Sequence, residues 1–309
     1  MAGETAPNGC KEVHMEILRT LESLRTPFWD TIFGLITRLG EETILIVVFC
    51  AIYWCISKKM GYVIGISFFM SSLVIQGMKI VFRVPRPWVY DPTFQPVGGA
   101  VREATGYAFP SGHTQNAAAL LGALGIQLKS WVVRIVLFSL AILVAFSRMY
   151  LGVHYLSDVL VSLVITFIIV YFAARVITEE VVSVKRELTI ALFIAGVALV
   201  VIIIATALYH GSDIETHQLR DGTRAAGAAI GFAIGMFVER VYIKFSVKAK
   251  NIGVHVLKFV LGVAGTLAIQ EGVRLIGTGL IIDAIRYFLM VVWITIFFPL
   301  VIKRFLQSE

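Results

Sequence analysis

The sequence predicts an all-α, polytopic membrane protein: a helical bundle of about nine transmembrane helices with an N-terminal amphipathic helix in the membrane interface. Of the 309 residues, 58% are hydrophobic and only 15% are charged, whereas an average soluble domain carries roughly a quarter charged residues. The mean hydropathy is +0.85. A water-soluble globule could not bury that much apolar surface, and disordered chains are poor in apolar residues. Three cysteines are too few for a disulfide scaffold.

The N-terminal segment, residues 1–40, is predicted to lie outside the membrane core. Within residues 11–40, apolar side chains recur every three or four positions from Val13 to Phe28, with charged residues between them. This spacing indicates an amphipathic helix, which suits the membrane interface better than a span. A helix that packs against the bundle is the alternative.

Nine runs of mostly apolar residues follow, and a membrane helix needs roughly 20 such residues. The runs lie near 43–57, 61–82, 112–128, 132–148, 155–176, 187–209, 224–243, 254–276 and 281–302. Some of them are short, so a tilted or partly re-entrant segment is an alternative to a full crossing. The five runs up to residue 176 form one predicted unit, the core at 41–176, and the other four form a C-terminal extension at 177–309.

The C-terminal extension carries no catalytic motif, and we expect its features to be structural. Gly227, Gly231 and Gly235 recur every fourth residue, which lets two helices approach closely, within the chain or between chains. A homodimer through the C-terminal helices is therefore one expected assembly. Charged residues in or near these runs are expected to form internal ion pairs or to anchor span ends; they are Glu239, Glu271, Arg274, Asp283 and Arg286.

The cations predict the orientation of the bundle. The net charge is +7, but the cations lie mostly between apolar runs, which favours a topology signal over nucleic-acid binding. With nine spans, one face receives the connections that contain Lys58, Lys129, Lys185, Lys244 and Lys303. Because such cations mark the cytoplasmic side, we expect the opposite face, with the long proline-rich connection 83–111, to be extracytoplasmic.

Three motifs fall at span ends on that opposite face. They are Lys79-x6-Arg86-Pro87, Pro110-Ser111-Gly112-His113 and Ser147-Arg148-x5-His154-x3-Asp158. Each motif alone is weak, because a lysine at a span end usually snorkels to the interface and a Pro-Ser pair is often a plain helix cap. The topology was drawn from apolar runs and cations alone, so the meeting of all three at one face supports a common site.

The positively charged members of these motifs suit a phosphate group. Lys79, Arg86 and Arg148 supply three positive charges, and the planar guanidinium fork matches phosphate oxygens. Ser111 and Gly112 stand at a predicted helix start, where free backbone N–H groups attract anions and glycine permits close approach. These five residues are therefore predicted to bind phosphate.

The histidines supply the chemistry. His154 and Asp158 lie four residues apart on a predicted helix and so share a face, where the carboxylate can fix the ring tautomer and leave the other nitrogen as nucleophile. His113, from another helix start, can protonate the leaving group and then deprotonate water. We expect no metal and no cofactor, because this face has few metal ligands and an excess of cations that would repel a metal ion.

The combined motifs resemble the signature of the type 2 phosphatidic acid phosphatase superfamily, also called lipid phosphate phosphatases, over about residues 40–176. The resemblance implies a metal-independent phosphatase on a helical core shared with vanadium haloperoxidases. It also implies His154 as nucleophile, Asp158 behind it, His113 as general acid and base, and the remaining five residues as phosphate ligands. The span count looks more like the glucose-6-phosphatase and sphingosine-1-phosphate phosphatase branches.

The resulting hypothesis is a multi-pass cell-membrane phosphatase that hydrolyses a lipid phosphate or diphosphate through a phosphohistidine, with its site on the extracytoplasmic side. Undecaprenyl or another polyprenyl diphosphate is the first expected substrate, because Leu39-Gly40-Glu41-Glu42 and Tyr53-Trp54-Cys55 look like microbial members assigned to such lipids. Phosphatidate, phosphatidylglycerol phosphate, a sphingoid phosphate or a sugar phosphate are alternatives. A haloperoxidase is disfavoured by membrane embedding. A lipid head-group carrier or scramblase would need the charges but not the nucleophile.

Overall fold

The computed structural model describes residues 8–102, 104–177, 182–211 and 216–308, and the described part contains helices and no strands. The helices are α1 (Asn8–Ser23), α2 (Pro27–Arg38), α3 (Glu42–Cys55), α4 (Lys58–Phe82), the short α5 (Pro87–Tyr90), α6 (Gly112–Gln127), α7 (Trp131–Tyr150), α8 (Leu156–Val176), α9 (Val184–Gly211), α10 (Thr216–Val238), α11 (Ile252–Ile276), α12 (Leu280–Val292) and α13 (Phe298–Val301). Three π-helical turns extend α10 and flank α13: Glu239–Ile243, Trp293–Phe297 and Ile302–Leu306. The prediction of an all-α, polytopic membrane protein is confirmed.

Eight of the nine apolar runs correspond to one helix each, with a π-helical extension on α10, and the run 281–302 corresponds to α12 and α13 with their π-helical turns. Among the described residues, seven helical segments are long and apolar enough to cross a membrane: 58–90, 131–150, 156–176, 184–209, 219–243, 252–276 and 280–306. The other two runs form α3 and α6, which have only 14 and 16 residues. These two are among the short runs, for some of which the sequence allowed a tilted or re-entrant segment, and the count of nine spans stays a prediction.

The N-terminal region forms two helices where the sequence analysis predicted one. The chain leaves the helical path at Leu24, and Thr26 caps α2 by accepting a hydrogen bond from the Trp29 N–H, with Pro27 in the first turn. Threonine before proline is a helix-start signal that the periodic pattern obscured. Met15 and Leu18 of α1 are buried against α7 and α8, so α1 packs on the bundle, as in the alternative interpretation.

The helices of the core and of the extension share one hydrophobic core. Tyr53, Trp54 and Phe232 are fully buried in it, together with Phe298 near the C-terminus. The glycine ladder packs α10 directly on α12. An added Cβ at Gly231 would lie 2.8 Å from the Phe288 carbonyl oxygen, and an added Cβ at Gly227 or Gly235 would lie even closer to its neighbour across the contact. The ladder is thus covered within the chain, and a homodimer, which stays a prediction, would need another face.

The two ends of the bundle differ in character. At one end, here called the cationic end, Lys58 Nζ lies 2.5 Å from Glu239 and 3.0 Å from the Phe245 carbonyl oxygen, and Lys303 bonds to the Ile243 carbonyl. At the other, here called the motif end, the connection 83–111 meets the last turn of α7 and the starts of α6 and α8. The lysines of the cationic end and the motif residues therefore lie at different ends of the bundle, and which end faces the cytoplasm stays a prediction.

Candidate active site

A cavity of about 220 Å³ opens at the motif end. Six of the eight residues predicted for the site line it: Lys79, Arg86, Gly112, His113, Arg148 and His154. They come from the end of α4, the connection after it, the start of α6, the end of α7 and the turn before α8. Residues up to 75 positions apart in the sequence therefore surround one space, and the sequence order alone does not bring them together.

His154 and Asp158 are held together by the start of α8. His154 Nδ1 lies 3.1 Å from Asp158 Oδ2, and the same carboxylate oxygen accepts the Tyr155 N–H at 2.9 Å. Asp158, the third residue of α8, thus caps the start of the helix as well as binding the histidine,. Both residues are almost completely buried. The ring is fixed with Nδ1 toward the carboxylate and Nε2 toward the cavity.

Arg86 occupies the space in front of that free nitrogen. Its Nη1 lies 2.9 Å from His154 Nε2. The same Nη1 also donates to the Val153 carbonyl at 2.8 Å, while Nη2 donates to the Thr105 carbonyl at 2.8 Å and Nε to the Gly106 carbonyl at 3.1 Å. Because several fixed carbonyls hold it, the guanidinium keeps its position without a bound anion and presents its charge beside the ring.

The other two motif cations are anchored in the same way. Lys79 Nζ donates to the Tyr107 carbonyl at 2.9 Å. Arg148 is fully buried and its Nη1 donates to Thr37 Oγ1 at 2.8 Å, a contact with α2 that no motif in the sequence indicated. The N-terminal segment therefore positions one of the three cations that line the cavity.

Ser111 and Gly112 were both predicted to bind phosphate at the start of α6, and of these two only Gly112 lines the cavity. Ser111 caps the helix: its Oγ accepts the Thr114 N–H, and its own backbone N–H donates to the Asp158 carbonyl at 3.1 Å. The serine thus supports the site from behind. An added Cβ at Gly112 would meet no heavy atom within 4 Å, because that side of the glycine faces open space.

The electrostatics of the site favour an uncharged His154 ring. Burial and the charges of Arg86, Arg148 and Lys79 hold the pKa of His154 well below its ordinary value of 6.5. Burial is the first cause, since the protonated ring would lose its hydration, and the neighbouring cations add repulsion. The ring therefore keeps its lone pair at neutral pH, as a nitrogen nucleophile requires.

One wall of the cavity was missed by the sequence analysis. Here called the far wall, it consists of Glu42 from α3, Asp221 and Arg224 from α10, and Tyr287 from α12. Two sequence signals pointed to it: Asp221 and Arg224, one helical turn apart, stand at the motif-face end of an apolar run, and Glu42 lies in the segment Leu39-Gly40-Glu41-Glu42 quoted above. The extension, which the sequence left without a role, thus contributes to the cavity that holds the motif residues.

The charges of the extension that the sequence singled out form ion pairs. Asp283 contacts Arg286 at 2.7 Å, Glu239 contacts Lys58 at 2.5 Å, and Glu271 lies 3.6 Å from Arg274 on the exposed surface. Among the described residues, no group of three or more His, Cys, Asp or Glu side chains is placed to hold a metal ion. Independence from metals stays a prediction, to be tested by activity measurements.

Comparison with known proteins places this helical membrane protein in a class. Residues 59–182 match the PAP2 superfamily, and residues 223–309 match the transmembrane extension of PAP2 superfamily phosphatases. Together the two matches cover most of the chain. The protein therefore belongs to the PAP2 superfamily, with a PAP2 domain followed by that transmembrane extension, and the predicted family resemblance is confirmed.

Similar proteins include two characterised phosphatases. Phosphatidylglycerophosphatase B of Bacillus subtilis is 27% identical over 180 residues, which cover 52% of this chain and 81% of the relative. Lipid A 4'-phosphatase of Porphyromonas gingivalis is 25% identical over 173 residues, covering 53% of this chain and 73% of the relative. Both alignments leave nearly half of this chain unmatched.

Two crystal structures are also similar to part of the chain. That of the PAP2-type phosphatidylglycerolphosphate phosphatase of Bacillus subtilis has a TM-score of 0.46 and 23% identity, covering 54% of this chain and 85% of that one. That of Aquifex aeolicus LpxE has a TM-score of 0.47 and 21% identity, covering 57% and 99%.

Proposed function

We propose that the protein is an integral-membrane phosphatase that removes a phosphoryl group from a membrane lipid through a phosphohistidine on His154. The observation that carries the proposal is the geometry around that ring: Asp158 binds Nδ1, and Nε2 faces a cavity lined by three cations. A phosphate in the cavity would take over the Arg86 N–H that now points at Nε2, which would leave the phosphorus in front of the nitrogen lone pair.

In the first step, His154 Nε2 attacks phosphorus and the bond from phosphorus to the leaving oxygen breaks. His113, which lines the same cavity, donates a proton to that oxygen. Lys79, Arg86 and Arg148 stabilise the negative charge on the remaining phosphoryl oxygens, and a positioned positive charge of this kind is commonly the largest contribution to such a reaction. The backbone at Gly112 adds the N–H groups of a helix start.

In the second step, water attacks the phosphohistidine. His113 now takes a proton from the water, the bond from nitrogen to phosphorus breaks, and inorganic phosphate leaves. The imidazole carries positive charge while the phosphoryl group is attached, and the Asp158 carboxylate lowers its energy. A head-group carrier would need the cations but not the buried His154–Asp158 pair, so this pair favours an enzyme.

The surroundings of the cavity favour a lipid substrate over a free sugar phosphate. Phe68 and Phe69 line the cavity, and a narrow apolar slot of about 30 Å³ adjoins it between α3, α4, α10 and α12. An apolar group next to the phosphate would meet carbon atoms there. The two relatives are named for phosphatidylglycerol phosphate and lipid A, and polyprenyl diphosphate is the substrate favoured by the sequence.

We propose further that the site opens to the extracytoplasmic side of the cell membrane. The support is charge bias: the lysines of the cationic end, including Lys58 and Lys303, lie at the opposite ends of the helices from the cavity. Such cations mark the cytoplasmic face. A lipid hydrolysed at the motif end would have to be present in the outer leaflet.

The test is phosphate release by the purified protein in detergent from a panel of substrates. The panel contains polyprenyl diphosphate, phosphatidylglycerol phosphate, phosphatidate, a lipid A phosphate, sphingosine phosphate and glucose 6-phosphate, each assayed with wild type and His154→Ala. We expect release from at least one lipid by wild type alone. Binding of the lipids without release by either protein would favour a carrier and refute the proposal, and release from glucose 6-phosphate only would refute its lipid part.

A further inference from the structure

We propose that the far wall recognises a neutral, hydroxyl-bearing group next to the scissile phosphate, with Glu42, Asp221 and Arg224 as specificity-determining residues. The substrate class would then be a lipid whose phosphate monoester is carried on a polyol such as glycerol or a sugar. This inference rests on the proposed phosphatase activity. It assigns a role in substrate choice to the transmembrane extension, which supplies Asp221 and Arg224.

Charge separates the two sides of the cavity. On the side of the cavity that carries the motif residues, the three positive charges of Lys79, Arg86 and Arg148 and the one negative charge of Asp158 leave a formal excess of two positive charges. A phosphate monoester carries about −1.5 to −2 at neutral pH, so this side matches one monoester group. A second phosphoryl group would have to be accommodated elsewhere.

In the part of the chain that the structure describes, the charged members of the far wall and of the ion pairs behind it are three arginines and three carboxylates. They are Arg220, Arg224, Arg286, Glu42, Asp221 and Asp283. The lining residues Glu42, Asp221 and Arg224 have a formal net charge of −1, and the ion pairs behind them bring the sum to zero, so this side does not compensate an additional anion. It offers both donors and acceptors of hydrogen bonds, which is what a hydroxyl group requires, since each hydroxyl donates once and accepts twice.

The far wall is a rigid arrangement. Arg224 Nη2 lies 3.0 Å from the buried Asp283, and Arg224 Nη1 lies 3.5 Å from Asp221. Its Nε is buried and has no hydrogen-bond partner among the described residues. Tyr287 lies under the guanidinium at 5.6 Å. Arg224 is therefore fixed from behind while it lines the cavity. A guanidinium has five N–H donors, more than the contacts with Asp221 and Asp283 use, so donors remain for a ligand.

A hydrogen-bonded path connects the far wall to the reaction centre. Asp221 Oδ2 accepts the Thr105 hydroxyl at 3.1 Å, and the Thr105 carbonyl accepts Arg86 Nη2 at 2.8 Å. Arg86 in turn contacts His154. Two residues thus link the nucleophile to the far wall, so a group attached to the bound phosphate would lie within reach of Asp221 and its neighbours.

The experiment compares two substrates with the same alkyl chain: dodecyl phosphate, which has no hydroxyl group, and dodecyl glucoside 6-phosphate. We expect wild type to prefer the glucoside phosphate in kcat/KM. Arg224→Met and Glu42→Gln should each lower kcat/KM for the glucoside phosphate by about 10- to 100-fold, as expected when a hydrogen bond to a charged group is lost, and change it less than about threefold for dodecyl phosphate.

Arg220→Met is the matched control. Arg220 contacts the same Asp283 oxygen at 3.0 Å but does not line the cavity, so this variant should retain the wild-type preference. An equal loss of preference in Arg220→Met, or an equal effect of the far-wall variants on both substrates, would overturn the inference and leave the phosphatase activity standing. Selective loss of activity toward a polyprenyl diphosphate would instead indicate a second phosphoryl site. The proposed function itself would be refuted if wild type released phosphate neither from these two substrates nor from any other lipid of the panel.

Discussion

Asp158→Asn tests the charge of the carboxylate that contacts His154, the proposed nucleophile. In the wild type, one oxygen, Oδ2, accepts the Tyr155 N–H and faces His154 Nδ1. Only an oxygen can accept both of these hydrogen bonds, so the asparagine side chain should place its amide oxygen at the position of Oδ2. Its amide nitrogen then takes the position of Oδ1, which lies 3.4 Å from Ser157 Oγ. The hydrogen bonds are then kept and the negative charge is removed.

The expected loss follows from the charge that develops on the ring. During phosphoryl transfer the imidazole becomes positive next to the carboxylate, and two unit charges about 4 Å apart interact by about 4 kcal/mol at an effective dielectric constant of about 20. Each 1.36 kcal/mol changes a rate tenfold, so kcat should fall by about 10²- to 10³-fold.

The assay is phosphate release at saturating substrate, with thermal unfolding measured on the same samples. Because the hydrogen bond that caps α8 is kept, the Tm of Asp158→Asn should remain within a few degrees of wild type. Ser157→Ala, which removes the neighbouring hydroxyl and leaves the charge, is the control and should keep kcat within about threefold, as expected for a weak hydrogen bond. An Asp158→Asn protein with wild-type Tm and more than a tenth of the wild-type kcat would refute this account of the charge.

Three further outcomes are expected. His154→Ala should reduce phosphate release to background in a folded protein, since the loss of a nucleophile is far larger than tenfold; a variant with a tenth of wild-type turnover would contradict the assignment. Chelators should leave the rate unchanged and vanadate should inhibit, because in the proposed mechanism three cations bind the phosphate without a metal ion; activity that disappears with chelator and returns with a divalent ion would contradict this. The His154 ring should stay neutral from pH 8 down to pH 5, although an ordinary histidine with a pKa near 6.5 would be protonated at pH 5,. The measurement is the pH dependence of the ring-carbon NMR signals of labelled histidine, with the His154 signal assigned by its loss in His154→Asn. A His154 signal that titrates near pH 6.5 would contradict the prediction.

The orientation can be tested in cells that produce single-cysteine variants without the three native cysteines. Gly98 is exposed in the connection after α5, and an added Cβ there meets no atom within 4 Å. Lys250 is exposed at the cationic end. Gly98→Cys should react with an impermeant reagent on intact cells, and Lys250→Cys only after permeabilisation. The reverse pattern would place the proposed site in the cytoplasm.

The sequence by itself determined the helices and the end of the bundle at which the motifs meet. Each apolar run became a helix because a backbone in an apolar environment satisfies its hydrogen bonds locally, and this information is contained in a single stretch of sequence. Successive runs cross in alternating directions, so the ends of the runs near Lys79, His113 and His154 could be assigned to one side from charge and spacing alone.

Tertiary packing decided the rest. The contact of Arg148 with Thr37 and the far wall of the cavity both depend on which helices become neighbours. The fit between helix surfaces decides this, and the glycine ladder that allows α10 to lie directly on α12 is one example. Phosphate binding by Ser111 stays a prediction; in the structure its Oγ accepts the Thr114 N–H at the start of α6 and its own N–H donates to the Asp158 carbonyl of α8. A sequence motif specifies which polar groups are present, whereas the competition among neighbouring donors and acceptors, which exists only in the folded chain, decides which of them face the cavity.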